Sequence, residues 1–167
     1  MRIDEVSEFL GLPVENKEFD AFLTEHGIQN RPVFKGTPVE NIILPKQGLV
    51  LKFDTRGGYQ RRYGPQPEEG GMIFSSVQVY GAVNDSCLAQ YPGALPYGLS
   101  FKSTLEDALG IFKESTVNHQ SGRNWVHVWY GYRGHTLALC FLPDSEGISF
   151  LALSRLLSSR PSSSIDG

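Results

Sequence analysis

Two indoles and one imidazole alternate along a short apolar stretch in the second half of the chain. Successive side chains of a strand point to opposite sides, so Trp125, His127 and Trp129 share one face, while Val126 and Val128 share the other. Large amphipathic rings are typical of the energetic centres of protein–protein interfaces. The valine face suits a core that helices cover. If the valines face that core, the indole face is on the other side of the sheet, and we predict that it contacts a partner. The alternative is that the first half of the chain covers the indoles.

Three histidines lie close together in sequence and raise the question of acid–base chemistry. His119, His127 and His135 could in principle form a paired general acid and base. Pairing of the flanking strands about a turn near Arg133 puts His135 at the hairpin end and His127 several residues up the strand. That separation is too large for proton transfer or for shared zinc ligation, and no cysteine lies near enough to complete a ligand set. We predict no metal and no other cofactor.

Aromatic and basic side chains also concentrate between Thr55 and Gly71. These residues are Arg56, Tyr59, Arg61, Arg62 and Tyr63. The stretch is rich in glycine and proline and lacks periodicity, which predicts a long hairpin loop that connects strands 49–54 and 72–80. Arginine and tyrosine suit phosphate gripping, base stacking or protein contact, and a loop with solvated charges is the simpler alternative.

Acidic residues give the first two helical segments a negative outer face. They are Asp4, Glu5, Glu8, Glu15, Glu18, Asp20 and Glu25. Such residues form the solvated side of two helices, or they steer the protein towards a cationic partner such as a nuclease.

A search for catalytic motifs finds none. The serines lack the G-x-S-x-G context of a hydrolase, and the paired glycines do not precede helices as phosphate-binding loops do. We therefore predict a binding protein rather than an enzyme. A small hydrolase or RNase-like enzyme that uses the histidines, and a ligand-binding or structural module without a tight protein partner, stay open as alternatives.

The elements that position these residues follow from periodicity and from turn signals. Helical spacing predicts short helices at residues 3–10 and 16–26, with Asn16 as the N-cap of the second, and Ser103 to Glu106 form a predicted capping box before a third helix. Three strands at 125–131, 136–142 and 148–153 have short glycine-containing links that suit an antiparallel meander.

The second half of the chain resembles the first at an offset of about 87 residues. Gly11-Leu12 matches Gly98-Leu99 at an offset of 87, and the alternating triplet that ends in Phe53 matches the triplet that ends in Phe141 at an offset of 88. We predict an α+β fold of two tandem helix–antiparallel-sheet units, 1–90 and 91–157, that form one extended sheet with helices on one face. Residues 158–167 are predicted to be a disordered tail.

Bulk properties restrict the class of partner. The net charge of −3 argues against a nucleic-acid binder with a basic face. No apolar stretch approaches the ~18 residues of a membrane span, and the acidic start is unlike a signal peptide, so we expect a cytoplasmic protein. Cys87 and Cys140 are expected to be reduced thiols, although a pairing between them stays open. The oligomeric state is not predictable from these properties.

Residues 95–101, the helix at 103–112 and the closing strand 147–153 resemble the pattern of small bacterial immunity proteins, which are encoded beside secreted or contact-dependent toxins. The same pattern is similar to the helix-plus-curved-sheet repeat of the beta-lactamase inhibitor protein fold, over most of 92–155 and more faintly over 3–80. The resemblance implies a protein that binds a cognate toxin enzyme and occludes its active site. It also implies contact roles for Trp125, His127, Trp129 and the 55–71 stretch. Inhibitors of that fold are secreted and use disulfides, and this chain has neither pattern, so a cytosolic toxin is the expected partner.

Overall fold

The computed structural model describes residues 1–37 and 39–156, and the predicted disordered tail at 158–167 lies outside them. The helices are α1 (Ile3–Val6), α2 (Lys17–Glu25), α3 (Arg56–Tyr63) and α4 (Leu105–Phe112). The strands are β1 (Val39–Leu44), β2 (Leu49–Thr55), β3 (Met72–Tyr80), β4 (Val117–Ser121), β5 (Asn124–Tyr132), β6 (His135–Phe141) and β7 (Ile148–Arg155). Within the described residues no helix is long and apolar enough to cross a membrane.

All seven strands form one antiparallel sheet in the order β1-β2-β3-β7-β6-β5-β4. The sheet consists of a three-stranded meander and a four-stranded meander, joined where β3 pairs with β7. The predicted α+β class and antiparallel sheet are therefore confirmed. Register shifts interrupt three of the ladders, between Lys52 and Phe53 on β2, between Trp129 and Tyr132 on β5, and between Cys140 and Phe141 on β6.

Side-chain capping fixes where the two longer amphipathic helices begin. The Asn16 side chain accepts a hydrogen bond of 2.9 Å from the Phe19 N–H at the start of α2, as the sequence predicts. At α4 the capping box joins Thr104 and Asp107, one residue beyond the predicted pair. Each cap satisfies backbone N–H groups that the first helical turn leaves without partners.

The main core lies between the sheet and helices α1, α2 and α4, on the side that we call the helix face. Alternate residues of the strands point into it, including Leu51 on β2 and Leu139 on β6. Phe19 of α2 stacks on two phenylalanines of the sheet. Its ring centroid lies 6.1 Å from that of Phe53 and 5.2 Å from that of Phe74. This packing holds the first meander against α2.

Helix α3 lies on the other side of the sheet, which we call the open face. Asp54 follows Phe53 on β2 and so points away from the main core, and its neighbour Ile73 on β3 is also buried on that side. Arg62 of α3 lies 3.9 Å from the Asp54 carboxylate. The prediction that helices occupy one face only is therefore wrong for α3.

Candidate functional site

The predicted aromatic face of β5 lies on the helix side of the sheet. Trp129 is only 3% exposed, and its ring centroid lies 5.2 Å from that of Phe112 on α4. Its indole N–H donates a 3.1 Å hydrogen bond to the Lys113 carbonyl oxygen. The predicted orientation of β5 is therefore reversed, and α4, not the first half of the chain, covers the indole. Trp129 is anchored in the core and is not available to a partner.

Trp125 and His127 are more accessible than Trp129. Trp125 is 43% exposed, and it pairs with Phe141 at the end of β6. His127 is partly buried, with its ring edge-on to Phe141 at 5.8 Å. A hydrogen bond of 3.0 Å joins its Nδ1 to the Ser115 hydroxyl. These two residues keep their predicted contact role, which stays a prediction.

Ser115 and His127 have the residue types of an acyl-transfer pair but not its surroundings. A catalytic histidine of this kind needs a carboxylate or similar group to orient the ring. Within residues 1–37 and 39–156, no hydrogen bond or ion pair joins His127 to a carboxylate. The contact with Ser115 is therefore interpreted as a hydrogen bond that satisfies Nδ1 of a partly buried imidazole ring.

Burial lowers the pKa of His127 below its ordinary value of about 6.5. Because the unfolded chain then binds a proton more readily than the folded chain, the contribution of His127 to the free energy of unfolding is present above pH ~6.5 and declines as the pH falls through that value. We expect the guanidinium concentration at the unfolding midpoint to be lower at pH 5.5 than at pH 7.5. The difference between the two pH values should be smaller in His127→Gln. An identical decline in the variant and the parent would contradict this origin.

The other histidines do not join His127. His127 lies opposite Leu139 on β6, four positions from His135, which corresponds to about 13 Å along the strand. His119 lies on β4, opposite Val126. Among the described residues no group of three or more His, Cys, Asp or Glu side chains could hold a metal ion. Cys87 is exposed and Cys140 is buried, and both are free thiols.

Helix α3 occupies part of the segment that was predicted to be a hairpin loop. The Thr55 hydroxyl caps it by accepting a 3.2 Å hydrogen bond from the Gly58 N–H. Tyr59 is 1% exposed, and its ring centroid lies 4.9 Å from that of Tyr63. Burial raises the pKa of the Tyr59 hydroxyl, against the opposing effect of the Arg155 guanidinium. Tyr59 therefore anchors the helix, and its side chain is not accessible on the surface.

The arginines of α3 are exposed beside the open face. Arg56 forms a 3.0 Å ion pair with Glu69, and Arg62 lies near buried Asp54. Arg61 is exposed on the same helix. Tyr63, partly buried at the end of the helix, completes the predicted set.

The two predicted contact groups do not form one surface. Helix α3 follows the end of β2 on the open face, whereas Trp125 begins β5 on the helix face. The first residues of β3 and β6 lie at one end of the sheet, and Trp125, opposite the last residue of β6, lies at the other end. A partner that covers one group therefore leaves the other free.

The open face carries a row of side chains that crosses every strand, which we call the apolar row because all of its members except Gln78 are apolar. Each member is the direct cross-strand neighbour of the next: Ile43, Val50, Gln78, Ala152, Ala138, Val128 and Val117. Six interstrand spacings give the row a length of about 29 Å. Small alanines occupy its middle, and the β-branched residues at its two ends, Ile43 and Val117, are exposed. The solvent face of an antiparallel sheet is ordinarily polar, so this row is a candidate contact surface, although Val50 within it is buried.

A separate cleft of about 640 Å³ opens beside the start of α3. Its walls are mainly apolar and include Val33, Phe34 and Met72, and Arg56 lies at the same cleft. The volume is in the range of small-molecule sites. Glu15 also lines the cleft, and its carboxylate accepts a 3.2 Å hydrogen bond from the Gly71 N–H.

Comparisons with known proteins give one distant structural neighbour. No protein-family model matches the sequence, and no curated protein matches it. A DUF4309 family protein (YjgB) from Bacillus subtilis subsp. subtilis str. 168 aligns over 91% of this chain and 91% of its own, with 12% identity and a TM-score of 0.45. Similarity at this level carries no argument about function.

Proposed function

We propose that this protein is a cytosolic immunity-type inhibitor, which binds a cognate bacterial toxin or effector enzyme and occludes its active site. The observation that carries the proposal is the apolar row on the open face. Occlusion requires a broad complementary surface and no chemistry from the inhibitor. The row's length of about 29 Å is similar to the width of a standard-size interface, which buries roughly 800 Å² on each partner, so such an interface would include the row and its neighbours.

Charge on the two faces suggests what the partner presents. The acidic residues of α1 and α2 lie on the helix side of the sheet, whereas Lys52, Arg61 and Arg62 lie on or beside the open face. The partner in this proposal has an apolar surface that packs against the apolar row, and acidic side chains on the part that faces α3. Such complementarity raises association rates and selects the partner.

We also propose that the chain arose by internal duplication, with units at 1–90 and 91–157. Three features with the same spacing of 88 residues support it. The helix N-caps Asn16 and Thr104 are separated by 88 residues, and so are the register shifts before Phe53 and Phe141. The matching Leu-x-Leu-x-Phe triplets lie on β2 and β6, each the strand before the last of its meander.

A ligand-binding module is the second candidate, and the cleft beside α3 favours it. Exposed Val33 and Phe34 would be covered by an apolar ligand, and Arg56 could pair with an acidic group on it. Such a ligand would be found as a small molecule retained on the purified protein.

The proposed inhibitor is tested by co-purification of the tagged protein from its native host at moderate salt, followed by mass determination of retained species. We expect a stoichiometric protein partner of enzyme size. Ala152→Lys, in the middle of the apolar row, is expected to reduce its retention by at least roughly tenfold, because a long charged side chain would block docking. Ala21→Lys, at an exposed position of α2, is the matched control and should retain the partner.

Equal retention by the parent and by both variants would place the interface elsewhere on the protein. A protein that is purified without a partner but with a bound small molecule would support the cleft instead. Purification with neither would count against both candidates.

A further inference from the structure

Strand β4 is an exposed edge of the sheet. All five of its residues are exposed, and its inner side pairs with β5. The strand, Val-Asn-His-Gln-Ser, contains no Lys, Arg, Asp, Glu or Pro. Edge strands of soluble proteins ordinarily carry charges, prolines or bulges that prevent further pairing.

The opposite edge differs in this respect. Strand β1 carries Glu40 and is bounded in sequence by Pro38 and Pro45. These residues discourage addition of another strand, since proline lacks a backbone donor and a charge resists burial. The contrast between the two edges singles out β4.

The hairpin geometry determines which backbone groups of β4 point outward. A two-residue turn, Gly122-Arg123, joins β4 to β5, so Ser121 and Asn124 form a hydrogen-bonded pair. Hydrogen-bonded and non-hydrogen-bonded pairs alternate along the ladder. Asn118 and Gln120 therefore direct their backbone N–H and C=O groups away from the sheet.

We propose that β4 pairs antiparallel with β4 of a second copy of this chain, with His119 opposite its own counterpart. This register pairs all five residues and joins Asn118 of each copy to Gln120 of the other. About four backbone hydrogen bonds form across the two-fold axis. The strand can pair with itself because it contains no Lys, Arg, Asp or Glu, and because the outward N–H and C=O groups of Asn118 in one copy face those of Gln120 in the other.

The pairing leaves the surface of the proposed inhibitor accessible. Strand addition extends a sheet in its own plane, so the apolar rows of the two copies lie on one continuous, fourteen-stranded face. Two partners could then dock on one dimer. The dimer does not depend on the proposed function, because its contacts are backbone hydrogen bonds of β4, and Val117 is the one member of the apolar row that lies on this strand.

The oligomeric state of the full chain tests the inference. Sedimentation equilibrium at pH 7.5 should give a mass that rises with concentration from that of the monomer towards that of the dimer. His119→Glu places two carboxylates opposite each other at the two-fold axis and should raise the dissociation constant by roughly tenfold or more. His119→Gln keeps the size and polarity without the charge and should still dimerise. Asn41→Glu, at an exposed position of β1, is the control for the other edge.

A covalent trap gives a second measurement. In a Cys87→Ser background, His119→Cys should form an intermolecular disulfide under mild oxidation, because directly opposed residues of a non-hydrogen-bonded pair lie about 4.5 Å apart at their Cα atoms. Asn41→Cys in the same background should not. A monomer at every concentration with no cross-link at residue 119 would overturn the proposal. A dimer that Asn41→Glu dissolves and His119→Glu does not would overturn it equally.

Discussion

Replacement of Trp129 with alanine is expected to lower the free energy of unfolding by about 3–5 kcal/mol. The side chain is almost fully buried, and its ring packs on Phe112 of α4. Its removal would leave a cavity between β5 and α4, and would also leave the Lys113 carbonyl oxygen without the indole donor.

Trp125→Ala is the matched control, because it removes the same side chain two residues away. Trp125 is nearly half exposed at the start of β5, so we expect a loss of about 1 kcal/mol or less. Guanidinium unfolding of both variants, with comparable m-values, measures the difference. Similar losses in the two variants would mean that α4 does not cover Trp129 as described.

Gly48→Ala is expected to have the second large effect, a loss of more than about 3 kcal/mol or failure to fold. Gly48 lies between β1 and β2 with a φ of 60°, a conformation that costs an L-residue roughly 1–2 kcal/mol. An added Cβ would overlap the Ala89 carbonyl oxygen and lie 2.6 Å from the Tyr91 backbone nitrogen. Both neighbours are backbone atoms and cannot move away by a change of rotamer.

Gly27→Ala separates the backbone strain from the overlap. Gly27 ends α2 with a φ of 76°, and nothing lies within 4 Å of the position of its Cβ. We expect only the conformational cost, about 1 kcal/mol. The measurements are the soluble yield and the thermal midpoint of each variant, and equal midpoints would exclude close packing of 89–91 against Gly48.

Local patterns in the sequence predict much of the secondary structure. Alternation of apolar residues identifies β2 and β3, and the Asn16 cap locates the start of α2. Helix α3 is not predictable in this way, because Arg-Gly-Gly-Tyr-Gln-Arg-Arg-Tyr has two glycines and lacks an apolar stripe. It forms because Thr55 caps it and Tyr59 is buried.

The candidate contact surface was harder to predict than the strands. Both faces of β5 carry large apolar side chains, so alternation separates Trp129 from Val128 but does not tell which of them faces the core. The apolar row depends on the register of all seven strands, and residues such as Val50 and Ala152 are far apart in sequence. No local pattern contains that information.

The position of β7 has a consequence for how the chain reaches its native state. This strand follows all the others along the described chain, yet it pairs on one side with β3 and on the other with β6. Until β7 is inserted, β3 and β6 each have an unpaired, largely apolar edge, and such edges promote aggregation. The pairing of β3 with β7 also closes a long loop, because Val77 meets Leu153, and such non-local contacts slow folding. We therefore expect that insertion of this central strand, which joins the two meanders, is a late step in folding.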